Sequence, residues 1–449
     1  MSDTSVPEED YAEMLVDGHR VLPSLLADLA AAERTIHMSM FLFFRDPVAE
    51  QVADVLAMQA RRGVAVRLLL NIEKTRMGDP FSTGEKEMIA QDPHVHYDPL
   101  DVQPIVDRLR EAGAEVHDTN IDYDALDHLN DARLRSIAAQ IKDTIDVDDL
   151  HIDHRKVVVI DGHIGYCGGA NVGAQYVYHH PFDPKKHAQH EAAEWKKQDH
   201  PEPWWKWHDS LTRFEGPIVR ALDAQFRDRW MLDGGCELAP VGDRPNRRPG
   251  ARRGVRLDSA RVLTNEPNNR PNAIRELYLR LIRDAERSIF IENPYLYHQA
   301  IAEALVFAKR RRPELRIDLV LPAREWNDNK FGHDAQQYYY ASYVDAGIAV
   351  HEYQCHFNHL KMAVFDERWS IHGSTNLNYR SLEDDKDFEL VVLVDSEELA
   401  RRVLCEVRDV DVPHSKTFTP QDLAGPSLAH LRVRTRDPRT LLLLSRRVL

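Results

Sequence analysis

Along the chain, short runs of apolar residues alternate with longer stretches in which apolar positions return every three or four residues. Runs of the first kind read as strands and stretches of the second as amphipathic helices. The order then repeats itself. Arg34-Thr-Ile-His-Met-Ser-Met-Phe-Leu-Phe-Phe44 resembles Arg287-Ser-Ile-Phe-Ile-Glu-Asn-Pro-Tyr-Leu-Tyr297, each following a helical pattern. A helix and a second strand come next, at Val64–Leu70 and Leu315–Leu321. Third strands follow Gly113 and Gly347, and the fourth pair is Lys156–Asp161 and Lys361–Asp366. Strands alternating with helices build twisted sheets covered by helices on both faces. The pattern therefore predicts an α/β fold of two pseudo-twofold-related lobes, each a mixed sheet flanked by helices, with the active site at the lobe interface. Residues 1–232 form the first lobe, 233–256 a Gly/Pro/Arg-rich linker, 257–426 the second lobe and 427–449 a basic, apolar tail.

The halves differ in two places. The first half carries about 33 extra residues at 119–151, an acidic stretch around a helical core at Ala132–Lys142. It reads as a solvated acidic helix or as a lid over the cleft. Residues His179 to Trp207 are polar, rich in histidine and end in Trp204-Trp-Lys-Trp207. Those histidines lack metal-ligand spacing, and the tryptophans suit either packing against the lobe or a lipid interface.

Composition narrows the field. Of 449 residues, 43% are hydrophobic and 29% charged, which excludes disorder and small disulfide-bonded scaffolds. Lys plus Arg number 58 and Asp plus Glu 73, a net charge of −15 that disfavours polyanions as general partners. Four scattered cysteines, Cys167, Cys236, Cys355 and Cys405, fit a reducing compartment. The acidic N-terminus lacks the pattern of a signal peptide, and no uncharged apolar run reaches membrane-spanning length. A cytoplasmic protein is expected, reaching any lipid peripherally from the inner face of the membrane. Leu431–Leu449, with six Arg against one Asp and a run of four leucines at 441–444, is a candidate for such docking.

The chemistry lies in a motif that occurs twice. His154, Lys156, Asp161, Gly168, Gly169 and Asn171 obey the same spacing as His359, Lys361, Asp366, Gly373, Ser374 and Asn376. At matching points of a structural repeat, that coincidence is hard to obtain by chance. In a strand, residues two apart share a face, so each histidine and its lysine should project together. Two such lobes would bring both pairs to one cleft, a setting suited to an anionic tetrahedral phosphodiester. Lysine ammonium groups and Asn171 and Asn376 would orient the non-bridging oxygens. One histidine would attack phosphorus and the other protonate the departing alkoxide, then deprotonate the incoming water or alcohol. No metal or other cofactor is required, because the lysines supply positive charge. A nucleophilic histidine also needs a carboxylate on its other nitrogen, and Asp209 and Glu389 are the candidates.

With these motifs the sequence resembles the phospholipase D superfamily, over nearly its whole length from about Arg34 to about Asp395. Within it, the chain is most similar to bacterial cardiolipin synthases and related phosphatidyltransferases. Carrying that closer match are Gly168-Gly-Ala-Asn171, Trp207-His-Asp209, Gly216-Pro217, Phe226, Trp230, Asn293-Pro-Tyr295, Gly347–Tyr353 and Gly373-Ser-Thr-Asn376-Leu-Asn-Tyr-Arg380-Ser381. The resemblance implies the phospholipase D-like fold and a covalent phosphohistidine intermediate. It makes His154 the nucleophile and His359 the general acid and base, and gives Asp161 and Asp366 a structural role. Gly169 and Ser374 are expected to let the backbone approach phosphate. The implied partners are a phospholipid, an alcohol or water acceptor, and a membrane surface. The chain departs from the family pattern in lacking membrane-spanning helices, in Ala174-Gln175 before Tyr176, and in Asp387 two before Glu389. A nuclease of the same superfamily is the alternative, although the acidic insertion would hinder a polyanion. A silent scaffold has no support, since both motif sets are intact.

Overall fold

The computed structural model describes residues 9–72, 101–119, 152–176, 207–241, 252–266, 271–327, 330–355, 357–383 and 387–423. The acidic insertion beyond Thr119, the His-rich stretch up to residue 206 and the tail at 427–449 lie outside the described residues.

The first half contributes β1 (Tyr11–Val16), β2 (Thr35–Met40), β3 (Ala65–Leu70), β4 (Glu115–Asp118), β5 (Ile152–Asp153), β6 (Val157–Ile160), β7 (Ile164–Gly168), β8 (Trp207–His208), β9 (Ser210–Glu215) and β10 (Val255–Arg256). The second contributes β11 (Ser259–Asn265), β12 (Ser288–Glu292), β13 (Arg316–Pro322), β14 (Ala349–Tyr353), β15 (Phe357–Asn358), β16 (Met362–Phe365), β17 (Trp369–Gly373), β18 (Asp387–Asp395) and β19 (Ser415–Thr417). In the first sheet β1-β9-β7-β6-β2-β3-β4 lie side by side, and β11-β18-β17-β16-β12-β13-β14 repeat that order in the second. Both sheets are mixed, parallel across β2-β3-β4 and β12-β13-β14 and antiparallel elsewhere along those paths. Val255–Arg256, in the stretch read as linker, adds an edge strand to the first sheet.

Helices α1 (Gly18–Ala30), α2 (Pro47–Arg61) and α3 (Gln103–Glu111) pack with the first sheet, and α5 (Ala273–Asp284), α6 (Gln299–Arg311) and α7 (Lys330–Ala346) with the second. Between the sheets, α4 (Ile218–Leu232) and α8 (Glu397–Val403) help to fill a shared core. Helix α2 starts where Asp46 accepts the N–H groups of Val48 and Ala49, both at 2.9 Å, with Pro47 at the first helical position.

The continuous apolar runs reflect burial on both faces. In β6, Val158 and Ile160 enter the outer core while Val157 and Val159 enter the core between sheets. Likewise Ala363 and Phe365 of β16 face one core, Met362 and Val364 the other. A strand buried on both sides loses the apolar–polar alternation of a half-exposed one.

The two motif aspartates close the turns that follow β6 and β16. Asp161 (φ 52°) and Asp366 (φ 54°) occupy the left-handed region, where a short polar side chain is among the better tolerated. The Asp161 carboxylate accepts the amides of Glu33, Arg34 and Thr35 at 2.7–2.8 Å. Asp366 does the same for Glu286, Arg287 and Ser288. Each thereby ties its turn to the start of β2 or β12. Asp161→Ala is expected to cost about 2–4 kcal/mol in chemical denaturation, because three amides lose a charged acceptor. Activity per folded molecule should be unchanged. A variant as stable as the wild type but inactive would place Asp161 in the chemistry instead.

Candidate active site

Each histidine stands just beyond a two-residue strand that pairs with the opposite lobe. Strand β5 runs parallel to the start of β18, Ile152 beside Asp387 and Asp153 beside Phe388. Strand β15 does the same with β8, Phe357 beside Trp207 and Asn358 beside His208. One further hydrogen bond continues each pairing: His154 N–H to the Phe388 carbonyl (3.0 Å) and His359 N–H to the His208 carbonyl (2.8 Å). The next residue on each partner strand is Glu389 or Asp209, so register alone brings a carboxylate beside each ring. His154 Nδ1 lies 3.0 Å from Glu389 Oε1, and His359 Nδ1 lies 2.7 Å from Asp209 Oδ2. The carboxylates thus serve crosswise, each orienting a histidine of the other half. An ionised carboxylate only accepts, so its partner Nδ1 carries the proton and Nε2 keeps its lone pair.

The expectation that His154 and Lys156 share a strand face is not met, because residues 154–156 lie between β5 and β6. The pairing is made otherwise. Lys156 Nζ donates to the His154 carbonyl at 2.7 Å, and Lys361 Nζ to the His359 carbonyl at 2.8 Å. Lys361 Nζ is also 3.0 Å from His359 Nε2. Aromatic rings line both halves: Phe41 lies edge-on to His154 at 5.0 Å, and Trp207 lies 4.7 Å from His359. Trp207 is buried against Phe357 and Tyr176, which settles its place as packing. Tyr176 and Phe41 were not foreseen as site residues, since a lone aromatic, whether in a turn like Tyr176 or just past a strand like Phe41, carries no signal beyond core.

Burial and neighbouring ammonium groups dominate the electrostatics. Burial, then Lys156, lowers the proton affinity of His154 despite the opposing pull of Glu389. Burial, Lys361 and Lys156 hold His359 well below the ordinary histidine range, and His154 adds to this. Burial and the ammonium of Lys361 bring Lys156 down to about 7. The carboxylates differ. Burial raises Glu389, but His154, Lys156 and the Ser374 hydroxyl outweigh it and the carboxyl stays below its usual range. Ser381 Oγ donates to it as well, at 2.6 Å. Asp209, bonded by Ser210 N–H at 2.8 Å, is pushed up to about 7 by burial, with Lys361 opposing.

Gly169 and Ser374 lie against these carboxylates. A Cβ on Gly169 would collide with the carboxylate of Asp209, whereas the Ser374 hydroxyl donates to Glu389. Asn171 and Asn376 also part company. Asn171 Oδ1 accepts from Leu42 N–H (2.9 Å) and its Nδ2 donates to the Tyr176 hydroxyl (2.7 Å), while the buried Asn376 Oδ1 has no hydrogen-bond partner among the described residues. Asp387, a departure from the family pattern, is held by buried Arg380 at 2.8 Å. Among the described residues, His208, Glu292 and Asp411 have potential metal-ligand atoms within 4.8 Å of one another. Both ring nitrogens of His208 already meet carboxylates, of Asp17 and Asp411. No helix among the described residues is long and apolar enough to cross a membrane.

Known proteins resemble this chain in sequence and in fold. Cardiolipin synthase A of Buchnera aphidicola is 24% identical over 394 residues, covering 88% of this chain and 67% of that protein. The major cardiolipin synthase of Bacillus subtilis is 25% identical over 414 residues, 92% of this chain and 71% of the relative. Phosphatidylserine synthase of Haemophilus influenzae shares the fold, with a TM-score of 0.61 at 13% identity over 99% of this chain and 98% of that one. The family described as "Cardiolipin synthase, PLD-like domain" matches residues 25–181 and 278–410, and the chain belongs to that phospholipase D-like family.

Proposed function

We propose that the protein is a phosphatidyltransferase that moves the phosphatidyl group of a phospholipid to an alcohol through a phosphohistidine on His154. The observation carrying this reading is the crossed arrangement, in which each of two buried histidines is oriented through Nδ1 by a carboxylate of the opposite half. His154 Nε2 attacks phosphorus, the P–O bond to the leaving head group breaks, and His359 delivers its proton to the departing oxygen. His359, now neutral, removes the proton of the incoming hydroxyl, whose oxygen attacks phosphorus and breaks the P–N bond. His154 is regenerated with no net proton gained or lost.

The two lysines make this sequence depend on the substrate. Before substrate binds, burial and then their charge keep His359 neutral. An anionic phosphodiester between Lys156 and Lys361 cancels that repulsion, so substrate binding itself equips His359 with its proton. Asn376 and the lysines would hold the non-bridging oxygens. The similarity to cardiolipin synthases favours cardiolipin as the product, and phosphatidyl transfer can form it only with phosphatidylglycerol as the acceptor alcohol.

Purified protein given mixed micelles of phosphatidylglycerol and phosphatidylethanolamine, with glycerol, is expected to yield cardiolipin or exchanged head groups by mass spectrometry. Phosphatidic acid as sole product would make the enzyme a hydrolase. Cleavage of single-stranded DNA with no lipid product would replace the lipid reading by the nuclease one.

A further inference from the structure

Behind the two pseudo-equivalent histidines the chain builds different supports. On the His154 side, Arg155 and Arg229 lie over the ring of Phe388 at 5.3 and 4.2 Å, and both pair with Asp153. On the His359 side the residue corresponding to Phe388, one before the carboxylate, is His208. Its Nδ1 lies 2.8 Å from Asp17 Oδ1 and its Nε2 lies 3.0 Å from Asp411 Oδ2. All three side chains are no more than 4% exposed. A ring whose two nitrogens both meet carboxylate oxygens carries both protons and is a cation.

This buried cation is joined to the site on two sides. The Asp17 N–H donates to the Asp209 carbonyl at 2.8 Å, and Asp17 Oδ1 accepts the Asp209 N–H at 3.3 Å. The His208 carbonyl accepts the N–H of His359. Asp17 and His208 belong to the first half of the chain and Asp411 to the second, so the ring of charges also spans the two halves.

We infer that Asp17, His208 and Asp411 form a positioning device for Asp209 and His359, a cation clamped across the two halves directly behind that pair. It rests on the reading of His359 as the group that moves the proton. Charge is the means. Against the burial that pushes Asp209 up to about 7, Lys361, Lys156 and His208 pull it down toward ionisation. Burial opposes the charge on His208, but Asp17 and Asp411 raise its proton affinity well above that of an ordinary histidine. Glu292 also faces this cluster, bonded to Asn358, and burial followed by Asp411 holds it protonated. Tyr353 stacks on the His208 ring at 5.5 Å. An imidazolium gives up its proton far more readily than a guanidinium, so the cation behind His359 is more easily lost than those behind His154.

The double variant His208→Gln/Asp411→Asn removes one positive and one negative charge, leaving the cluster's net charge unchanged, and the Asp17 carboxylate keeps the Asp209 N–H. The readout is the ring nitrogen NMR signal of His359 against pH in the full chain, assigned by its loss in His359→Ala. Without the cation, the Asp209–His359 pair should take up its proton at a pH higher by about one unit, a roughly tenfold change in affinity. A folded double variant with an unmoved midpoint overturns the inference. Asp411→Asn gives a second test that keeps an acceptor for His208. There the His208 ring should titrate at lower pH than in the wild type, with a matching step in the His359 signal, and absence of that step also overturns it. These signals need no substrate, so a protein inactive on phosphatidylglycerol would sink the proposed function while leaving this test intact.

Discussion

His154→Ala is expected to lower phosphatidyl transfer by on the order of 10⁴-fold or more, with the fold intact. The size follows from what the residue does: without Nε2 there is no intermediate, and water or alcohol must displace the head group directly. Folding should survive because the carboxylate left behind is not stranded. Glu389 keeps the Ser374 and Ser381 hydroxyls, and Lys156 stays near enough to lower its proton affinity. Unfolding temperature and turnover, measured together, separate the two effects. A chemical trap makes the assignment sharper. Wild-type protein quenched during turnover of phosphate-labelled donor should carry label on the peptide containing His154, and the alanine variant should carry none. Label on the peptide containing His359 would reverse the roles of the two histidines.

Much of this site was legible in the sequence, and the reason is the duplication. The spacing His154, Lys156, Asp161, Asn171 recurs at His359, Lys361, Asp366, Asn376, and the strands that carry it repeat in the same order. Legibility stopped where structure depends on pairs too short to leave a pattern. Strands β5 and β8 have two residues each, below any detectable period, yet their pairing with β18 and β15 decides which carboxylate meets which histidine. Asp209 and Glu389 could thus be recognised as orienting carboxylates while their crossed assignment could not. The same limit hid the difference between the halves. Gly169 and Ser374 occupy one motif position, but only the serine donates to its carboxylate, and Glu389 is ionised more readily than Asp209 for that reason among others. His208 was visible inside Trp207-His-Asp209, but its charge comes from Asp17 and Asp411, which lie 191 and 203 residues away in sequence.

His359→Ala should reduce transfer between natural alcohols on the order of 10³-fold, and the loss should depend on the leaving group. A glyceryl or ethanolamine oxygen leaves as a strongly basic alkoxide and needs a proton from His359 as the P–O bond breaks. A nitrophenyl head group departs as a stable anion and needs none. With such a donor the first step should recover in the variant, giving a burst of nitrophenolate equal to the enzyme concentration. Steady turnover should stay slow, because the incoming hydroxyl still has no base to take its proton, and the phosphatidyl group should accumulate on His154. The variant should fold, since Asp209 keeps the Ser210 N–H and the field of Lys361. If the nitrophenyl donor is affected as severely as the natural one, His359 acts at a stage other than proton delivery. Fully restored steady turnover would instead assign the base of the second step to another residue, leaving His359 as acid alone.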